Sequence, residues 1–286
     1  MDYEDMVVTE QQNTERDGYG PRAEGGSSGN QAKIAWRNMW EEFYQVPSIT
    51  HSQLYKDITP LPCSGNRVFS SIWSRVKTAA FHNVTYYRRL RVIFDTVLVE
   101  ADSRAKHEGK HAFVNIIGAG LGVWKYSPHQ TDIFVLSVLR RVRALLVAGR
   151  LQHVSDVNMA YIKPGTLVAA LFKSHDGNGD KLFFKNENHP RGGINVQLQN
   201  REPSSKLKGE HEGKLLVLTY PWDGNAHPGN EFWIGKLKTS GDPAAACSTQ
   251  VSELHNAHIN RIALKGDNTR VASDTVRILS EHCKSL

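Results

Sequence analysis

Cysteine is scarce in this chain of 286 residues, and Cys63, Cys247 and Cys283 lie far apart. None belongs to a CxxC pair, and the 13 histidines include no HExxH pattern, so no disulfide framework or zinc site is indicated. The segment HDGNGDKLFFKNE, from His175, has Lys181 where a calcium-binding loop requires glycine, and we interpret it as a hairpin turn. We therefore expect no bound metal and no cofactor.

Long hydrophobic runs are also missing. The apolar stretch TLVAALF, from Thr166, is far shorter than the roughly 20 residues that span a bilayer. The acidic N-terminus has no signal-peptide pattern. We expect no membrane partner, and a location in the cytoplasm or nucleus.

Residues 1–30 have too few aliphatic side chains to offset the entropy of folding, and we predict a disordered acidic tail there. They hold 2 basic and 7 acidic side chains, which leaves 33 Lys and Arg against 22 Asp and Glu in residues 31–286. This basic surplus suits a nucleotide diphosphate, a phosphorylated ligand or nucleic acid, and equally a solvated basic face with no ligand. Because no recognised nucleic-acid motif accompanies the charge, nucleic acid ranks last among these partners.

We predict that residues 31–286 form a single domain, in which residues 31–108 are a helical extension. Apolar spacing indicates an amphipathic helix over residues 31–45 whose aromatic face packs on the core. Further helices are predicted around residues 68–80 and 84–104.

Residues 109–286 read as a mixed α/β core. A buried strand over residues 111–117 precedes a helix over residues 131–148. Five further strands are predicted at residues 154–162, 166–173, 181–185, 194–198 and 215–220. A helix capped by Asp242, an edge strand and a short terminal helix complete the prediction.

A glycine loop, Gly118–Gly122, joins the first strand of this core to the following helix. Strand, glycine loop and helix in this order can present backbone N–H groups to a phosphate. The loop fits neither GxGxxG nor the Walker pattern, so a tight structural turn is the alternative. Asn115 before the loop, and Trp124 and Lys125 after it, favour a nucleotide.

The segment YPWDGNAHPGNEFW, from Tyr220, is the most unusual in the chain. Its glycines and proline allow Asp223 and Glu231 to approach one ligand from both sides of a loop. Internal hydrogen bonding of an irregular loop is the alternative. Asp242 is either the helix cap or a third carboxylate near the same ligand.

Three motifs together resemble a family of macrodomain-like hydrolases that remove mono-ADP-ribose from arginine. They are VNIIGAGLGVWK from Val114, SDVNMAYI from Ser155, and YPWDGNAHPGNEFW followed by SGDPAAACS from Ser240. The resemblance implies a three-layer α/β/α macrodomain with ADP-ribose at the ends of the strands. It also implies that Asp223, Glu231 and Asp242 are the catalytic carboxylates.

The resemblance and the motifs together predict the residues that contact ADP-ribose. They are Asn115, Gly118, Gly120, Leu121, Gly122, Val123, Trp124, Asp156, Asn225 and Asn230. Asp156 lies at the start of a strand, where it could also merely cap a turn.

Two functions follow from the resemblance. The first is hydrolysis of ADP-ribosylarginine on mono-ADP-ribosylated proteins, and the second is a non-catalytic reader that binds ADP-ribose unchanged. Retention of all three acids favours hydrolysis. The chain lacks the glycine and glutamate signature of poly(ADP-ribose) glycohydrolases, which argues against the polymer as substrate.

Overall fold

The structure, a computed structural model, describes most of the stretch from residue 79 to residue 219 and shorter pieces on either side. The described residues are 7–9, 35, 38–39, 41–45, 59–60, 73–76, 79–122, 125–172, 181–202, 205–219, 269–272 and 275–286.

Eleven strands and four helices are defined within this part of the chain. The strands are β1 (Val7–Thr9), β2 (Thr59–Pro60), β3 (Trp73–Val76), β4 (Ala79–His82), β5 (Ala112–Ile116), β6 (Val154–Met159), β7 (Lys181–Lys185), β8 (Gly193–Gln197), β9 (Leu215–Leu218), β10 (Arg270–Ala272) and β11 (Val276–Ile278). The helices are α1 (Asn83–His107), α2 (Pro128–Val147), α3 (Thr166–Ala169) and α4 (Leu279–Lys284), with 3₁₀ turns at Ala170–Phe172 and Gly209–His211.

The central sheet has the strand order β7-β8-β6-β5-β9. Strands β8, β6, β5 and β9 are parallel, and β7 pairs with β8 in the antiparallel sense. The molecule therefore has a mixed α/β fold around a mostly parallel sheet, as the sequence predicted. Because the parallel strands share one direction, their carboxyl ends meet at one edge, which we call the carboxyl edge.

Helices α1 and α2 cover one face of this sheet because each has an apolar stripe. In α1, Leu90, Phe94 and Leu98 recur every four residues and are buried. Helix α2 begins with Pro128, which is favourable because the first N–H groups of a helix have no partner within the helix. Phe134 of α2 packs edge-on against Phe94, with 5.1 Å between the ring centroids. Both predicted helices are confirmed, with α1 slightly longer than expected.

The two faces of the sheet differ in chemistry. Val114, Val157 and Val196 lie side by side in register on the helix-covered face and are fully buried. The next residue of each strand points to the opposite face, since side chains alternate along a strand. These residues are Asn115, Asn158 and Gln197, which are equally buried.

Two predictions of secondary structure were wrong. In the range 68–80, predicted to be helical, residues 73–76 and 79–80 belong to the antiparallel pair β3 and β4. Within the predicted strand over residues 166–173, residues 166–172 form helix α3 and a 3₁₀ turn. Pro164 and Gly165 precede this helix, and the Gly165 N–H donates to Asp132 Oδ1 at 2.6 Å. Residues 7–9 form β1 and pair with β4, and disorder of the remainder of residues 1–30 stays a prediction.

The first predicted helix differs from expectation in its packing. Residues 41–44 are helical, but Met39 and Phe43 are 53% and 67% exposed, so these two side chains do not pack in the core.

Towards the other terminus, β10 and β11 form a hairpin, and Arg270 Nη1 lies 3.2 Å from Glu100 Oε1 on α1. None of the described helices is long and apolar enough to cross a membrane.

Candidate functional site

The glycine loop lies at the carboxyl edge, between the end of β5 and the start of α2. Every second N–H group of the loop is hydrogen-bonded within it: Ala119 donates to the Ile117 carbonyl at 2.8 Å, and Leu121 donates to the Gly118 carbonyl at 2.9 Å. Among the described residues, no acceptor receives the N–H groups of Gly118, Gly120 or Gly122. A loop with spare N–H groups ahead of a helix N-terminus is a suitable environment for an anion.

Two of these glycines are tightly constrained. Gly120 has a φ of 76°, which side chains rarely tolerate, although a Cβ there would meet no atom within 4 Å. A Cβ on Gly118 would lie 3.2 Å from the Leu121 side chain. The loop therefore depends on glycine at residue 120 for its backbone shape and at residue 118 for space.

Gln130 in the first turn of α2 holds the loop in place. Its Oε1 accepts from the Tyr126 N–H at 2.9 Å, and its Nε2 donates to the Gly120 carbonyl at 3.3 Å. Tyr86 OH lies 3.4 Å from the same Nε2, and burial raises the pKa of Tyr86 to about 12. The phenol is therefore neutral at physiological pH.

Two hydroxyl groups near the start of α2 are buried without a partner. Ser127 and Thr131 are each 4% exposed, and neither hydroxyl oxygen has a hydrogen-bond partner within the described ranges. Ser127 is also the N-cap residue of α2, yet it makes no side-chain capping bond. These hydroxyls are two further donors near the start of α2.

Thr219 connects the end of β9 to the glycine loop. Its Oγ1 accepts from the Ile117 N–H at 3.0 Å, and its N–H donates to the Asn115 carbonyl at 3.1 Å. Thr219 directly precedes Tyr220, where the acidic and aromatic segment begins. The last described residue before that segment is thereby held beside the loop.

A cavity of about 310 Å³ lies on the β9 side of the loop, between α1 and the ends of β5 and β9. Its lining is mainly apolar and includes Ile117, Ala119 and Thr219. This recess is large enough for part of a small-molecule ligand.

A series of hydrogen-bonded amide groups lies at the carboxyl edge, on the polar face of the sheet. Asn158 Nδ2 donates to Asn115 Oδ1 at 2.8 Å and to the Gln199 carbonyl at 3.1 Å, and Asn158 Oδ1 accepts from the Gln199 N–H at 2.9 Å. Asn115 is fully buried, and its Oδ1 is occupied by the bond from Asn158. Contact between Asn115 and ADP-ribose stays a prediction.

Asp156 lies deeper on the same face and is fully buried in a polar cluster. Its Oδ2 lies 2.6 Å from both Lys214 Nζ and Ser155 Oγ, and its Oδ1 lies 3.6 Å from His211 Nδ1 and 3.4 Å from Asn195 Nδ2. Burial lowers the pKa of His211, so the imidazole is mainly neutral at pH 7. Both carboxylate oxygens of Asp156 have partners within this cluster. Contact between Asp156 and ADP-ribose also stays a prediction.

Several predicted site residues lie outside the described residues. They are Val123, Trp124, Asn225 and Asn230 from the ligand set and Asp223, Glu231 and Asp242 from the catalytic set. The described residues include no group of three or more His, Cys, Asp or Glu side chains that could hold a metal ion.

Sequence reasoning missed Gln130, Thr219 and Lys214. No local motif marks these residues, because their partners are 10, 102 and 58 residues away in the chain. Only the position of Thr219 directly before the acidic segment could have drawn attention to it.

Comparison with known proteins gives consistent results. The chain matches the family model of MavL-like ADP-ribosylhydrolases over residues 1–284. It is 39% identical over 274 residues to a Drosophila melanogaster protein named ADP-ribosylarginine hydrolase CG3568, and 36% identical over 274 residues to ADP-ribosylarginine hydrolase CG2909 of the same organism. Each alignment covers 96% of this chain but only 49% and 50% of the relatives, so the chain spans about half the length of the curated relatives it matches.

Proposed function

Because the chain belongs to the MavL-like ADP-ribosylhydrolase family, we propose that it hydrolyses the bond between ADP-ribose and arginine side chains of modified proteins. The observation that carries the proposal is the position of Thr219. Its hydrogen bond to Ile117 holds the end of β9 beside the start of the glycine loop, and in the chain the acidic segment follows Thr219 directly.

The glycine loop and the start of α2 bind the diphosphate in this proposal. The spare N–H groups of Gly118, Gly120 and Gly122 donate to the phosphate oxygens, and the positive end of the α2 dipole stabilises their charge. The unused hydroxyl of Ser127 provides a further donor. Asn115 and Asn158 hold the strand ends that support the loop.

Asp223, Glu231 and Asp242 perform the chemistry in this proposal. The bond between ribose C1″ and the guanidinium nitrogen breaks, water oxygen bonds to C1″, and the leaving nitrogen keeps the electron pair and takes a proton. Carboxylates stabilise the oxocarbenium-like transition state, and one of them accepts a proton from the attacking water. A further carboxylate binds the guanidinium by charge-assisted hydrogen bonds, which favours arginine over serine or glutamate linkages.

The proposed fold is a three-layer macrodomain-like domain. A mostly parallel sheet with one helix-covered face and a buried polar layer on the other face supports it. The proposed partners are mono-ADP-ribosylated proteins and ADP-ribose, in the cytoplasm or nucleus. A reader that binds ADP-ribose without cleaving it is the alternative, and it requires the same loop but not the acids.

Two charge-removing variants separate hydrolase from reader. Asp223→Asn and Glu231→Gln keep the size of the side chain and remove the negative charge. Release of ADP-ribose from an arginine-linked peptide should fall by roughly a hundredfold or more, while at least one variant still binds free ADP-ribose by calorimetry. Peptides with serine and glutamate linkages serve as substrate controls.

The glycine loop is tested separately with a matched pair. Gly120→Val forces a β-branched residue into a left-handed conformation and should weaken ADP-ribose binding. Gly122→Ala is the control of the pair, because an added Cβ there meets no atom within 4 Å and the residue is not at a positive φ. Wild-type protein that binds ADP-ribose tightly but releases none from any linkage would leave the reader as the function.

A further inference from the structure

Tyr161 combines an exposed aromatic ring with an unusual backbone conformation. It lies two residues after the end of β6 at the carboxyl edge, is 60% exposed and has a φ of 59°. Among the described residues, only Gln45 and Tyr161 are non-glycine residues with positive φ. Such conformations cost free energy and are concentrated at functional sites.

The surrounding fold holds Tyr161 in this conformation. Ala160 and Ile162, on either side, are buried at 3% and 7% exposure, and the Tyr161 N–H donates to Asn200 Oδ1 at 3.2 Å. The chain is therefore anchored on both sides of a tyrosine that stays exposed to solvent. Packing of the ring in the core does not explain the residue.

Tyr161 lies next to the glycine loop. A Cβ built on Gly118 would be 3.5 Å from Ile162 Cγ1, so the turn after β6 touches the first glycine of the loop. The same turn reaches the start of α2, where the Gly165 N–H donates to Asp132 Oδ1 at 2.6 Å. The exposed ring thus belongs to the same neighbourhood as the spare N–H groups of the loop.

The strand order determines which end of the ligand comes to Tyr161. The glycine loop follows β5, which lies between β6 and β9. In the chain, the acidic segment follows β9 and Tyr161 follows β6, and the ends of these two strands lie about 10 Å apart, the width of two strand spacings, on either side of β5. A diphosphate on the loop would therefore direct its distal ribose towards β9 and its adenosine towards β6.

We propose that Tyr161 stacks on the adenine base of ADP-ribose and sets the affinity for the adenosine end of the ligand. This inference rests on the proposed function, because it takes the diphosphate to lie on the glycine loop. A solvent-facing aromatic ring is well suited to the role, since loss of one stacking partner commonly lowers affinity about tenfold. The cavity beside β9 lies on the side of the loop where this orientation would bring the distal ribose.

Calorimetry with ADP-ribose, ADP and ribose 5-phosphate tests the proposal. Tyr161→Ala should weaken binding of the two adenine-containing ligands about tenfold and leave ribose 5-phosphate unchanged, while Tyr161→Phe, which keeps the ring, should stay within about twofold of wild type. Phe43→Ala removes another exposed aromatic ring, 67% exposed, and serves as the matched control with unchanged binding.

A second variant guards against misfolding. Tyr161→Asn removes the ring, but asparagine tolerates the left-handed conformation, so the midpoint of thermal unfolding should not fall while adenine-dependent affinity does. Unchanged ADP-ribose affinity in folded Tyr161→Asn overturns the inference. An equal loss for all three ligands also overturns it, since that result assigns the contact to phosphate or ribose.

The outcome for hydrolysis is measured separately. If wild-type protein binds ADP-ribose but releases none from arginine-linked peptide, the hydrolase proposal fails, and the Tyr161 comparison still decides the stacking. If wild-type protein hydrolyses the peptide and Tyr161→Asn binds ADP-ribose as tightly as wild type, only the stacking fails. Absence of ADP-ribose binding by wild type overturns both.

Discussion

The two faces of the central sheet are equally buried but are stabilised in different ways. Val114, Val157 and Val196 need only apolar neighbours of suitable shape, and α1 and α2 provide them. On the other face, Asp156 and Asn158 need specific partners, and each has them at hydrogen-bonding distance. An apolar face loses stability in proportion to the volume removed, whereas a polar face loses it when one partner is left alone.

The largest expected effect is on the polar face. Asp156→Ala and Lys214→Ala each leave an uncompensated buried charge, because the two side chains are 1% and 10% exposed. We expect each variant to lower the free energy of unfolding by roughly 3–5 kcal/mol, measured by urea denaturation. The double variant Asp156→Leu with Lys214→Met should lose much less than the sum of the two, since no charge remains.

If the free energies of unfolding of Asp156→Ala and Lys214→Ala stayed within about 1 kcal/mol of wild type, the difference between the two faces would not hold. Such a result would mean that water or another residue compensates the remaining charge, and that the polar face is as tolerant as the apolar one.

The next effect concerns a buried polar side chain on the helical side of the sheet. His129 Nε2 lies 2.8 Å from Asn83 Oδ1, and burial lowers the pKa of His129 to about 4 from its ordinary 6.5. Between pH 6.5 and 4 the unfolded chain therefore binds a proton that the folded chain does not, and stability falls as the pH falls. We expect His129 to account for a loss of about 2 kcal/mol between pH 7.5 and pH 5.

Urea denaturation of wild type and His129→Gln at both pH values measures this loss. Glutamine can donate to Asn83 but does not titrate, so its stability should depend less on pH. His82, whose pKa burial lowers to about 3, adds a loss of the same sign to both proteins and cancels in the difference. Identical pH dependence in the two proteins would show that His129 titrates normally in the fold.

The smallest effect is expected on the apolar face. Ile194 on β8 is fully buried in the core, and Ile194→Val removes one methylene without exposing a polar group. The free energy of unfolding should fall by about 1 kcal/mol. A loss as large as that of Asp156→Ala would remove the distinction between the two faces.

The sequence predicted elements whose stability is local or periodic. Helices α1 and α2 follow from apolar spacing, and β5 and β6 from short runs that include Phe113 and Val157. The aliphatic run from Thr166 was assigned to a strand because it lacks polar residues, but the preceding turn at Gly165, bound to Asp132, starts a helix. Tertiary contacts of that kind leave no local pattern.

In the candidate site, too, only features with a local sequence pattern could be predicted. The glycine loop is visible in the sequence because glycines at residues 118, 120 and 122 stand out, and Gly120 has the positive φ that glycine allows. Tyr161 was not visible, since an exposed tyrosine after a strand is ordinary until its backbone conformation is known. Asp156 shows the reverse case, in which a polar residue in a strand belongs to a buried ion pair.

The bond between Ile117 and Thr219 also has a consequence for the order of folding. It joins residues 102 apart in the chain, and the parallel pairing of β5 with β9 joins residues 103 apart. Contacts of such long range form late because a large loop must close first. During synthesis, the glycine loop is therefore made long before it can take its final shape, and it is completed only when β9 has been added and has docked.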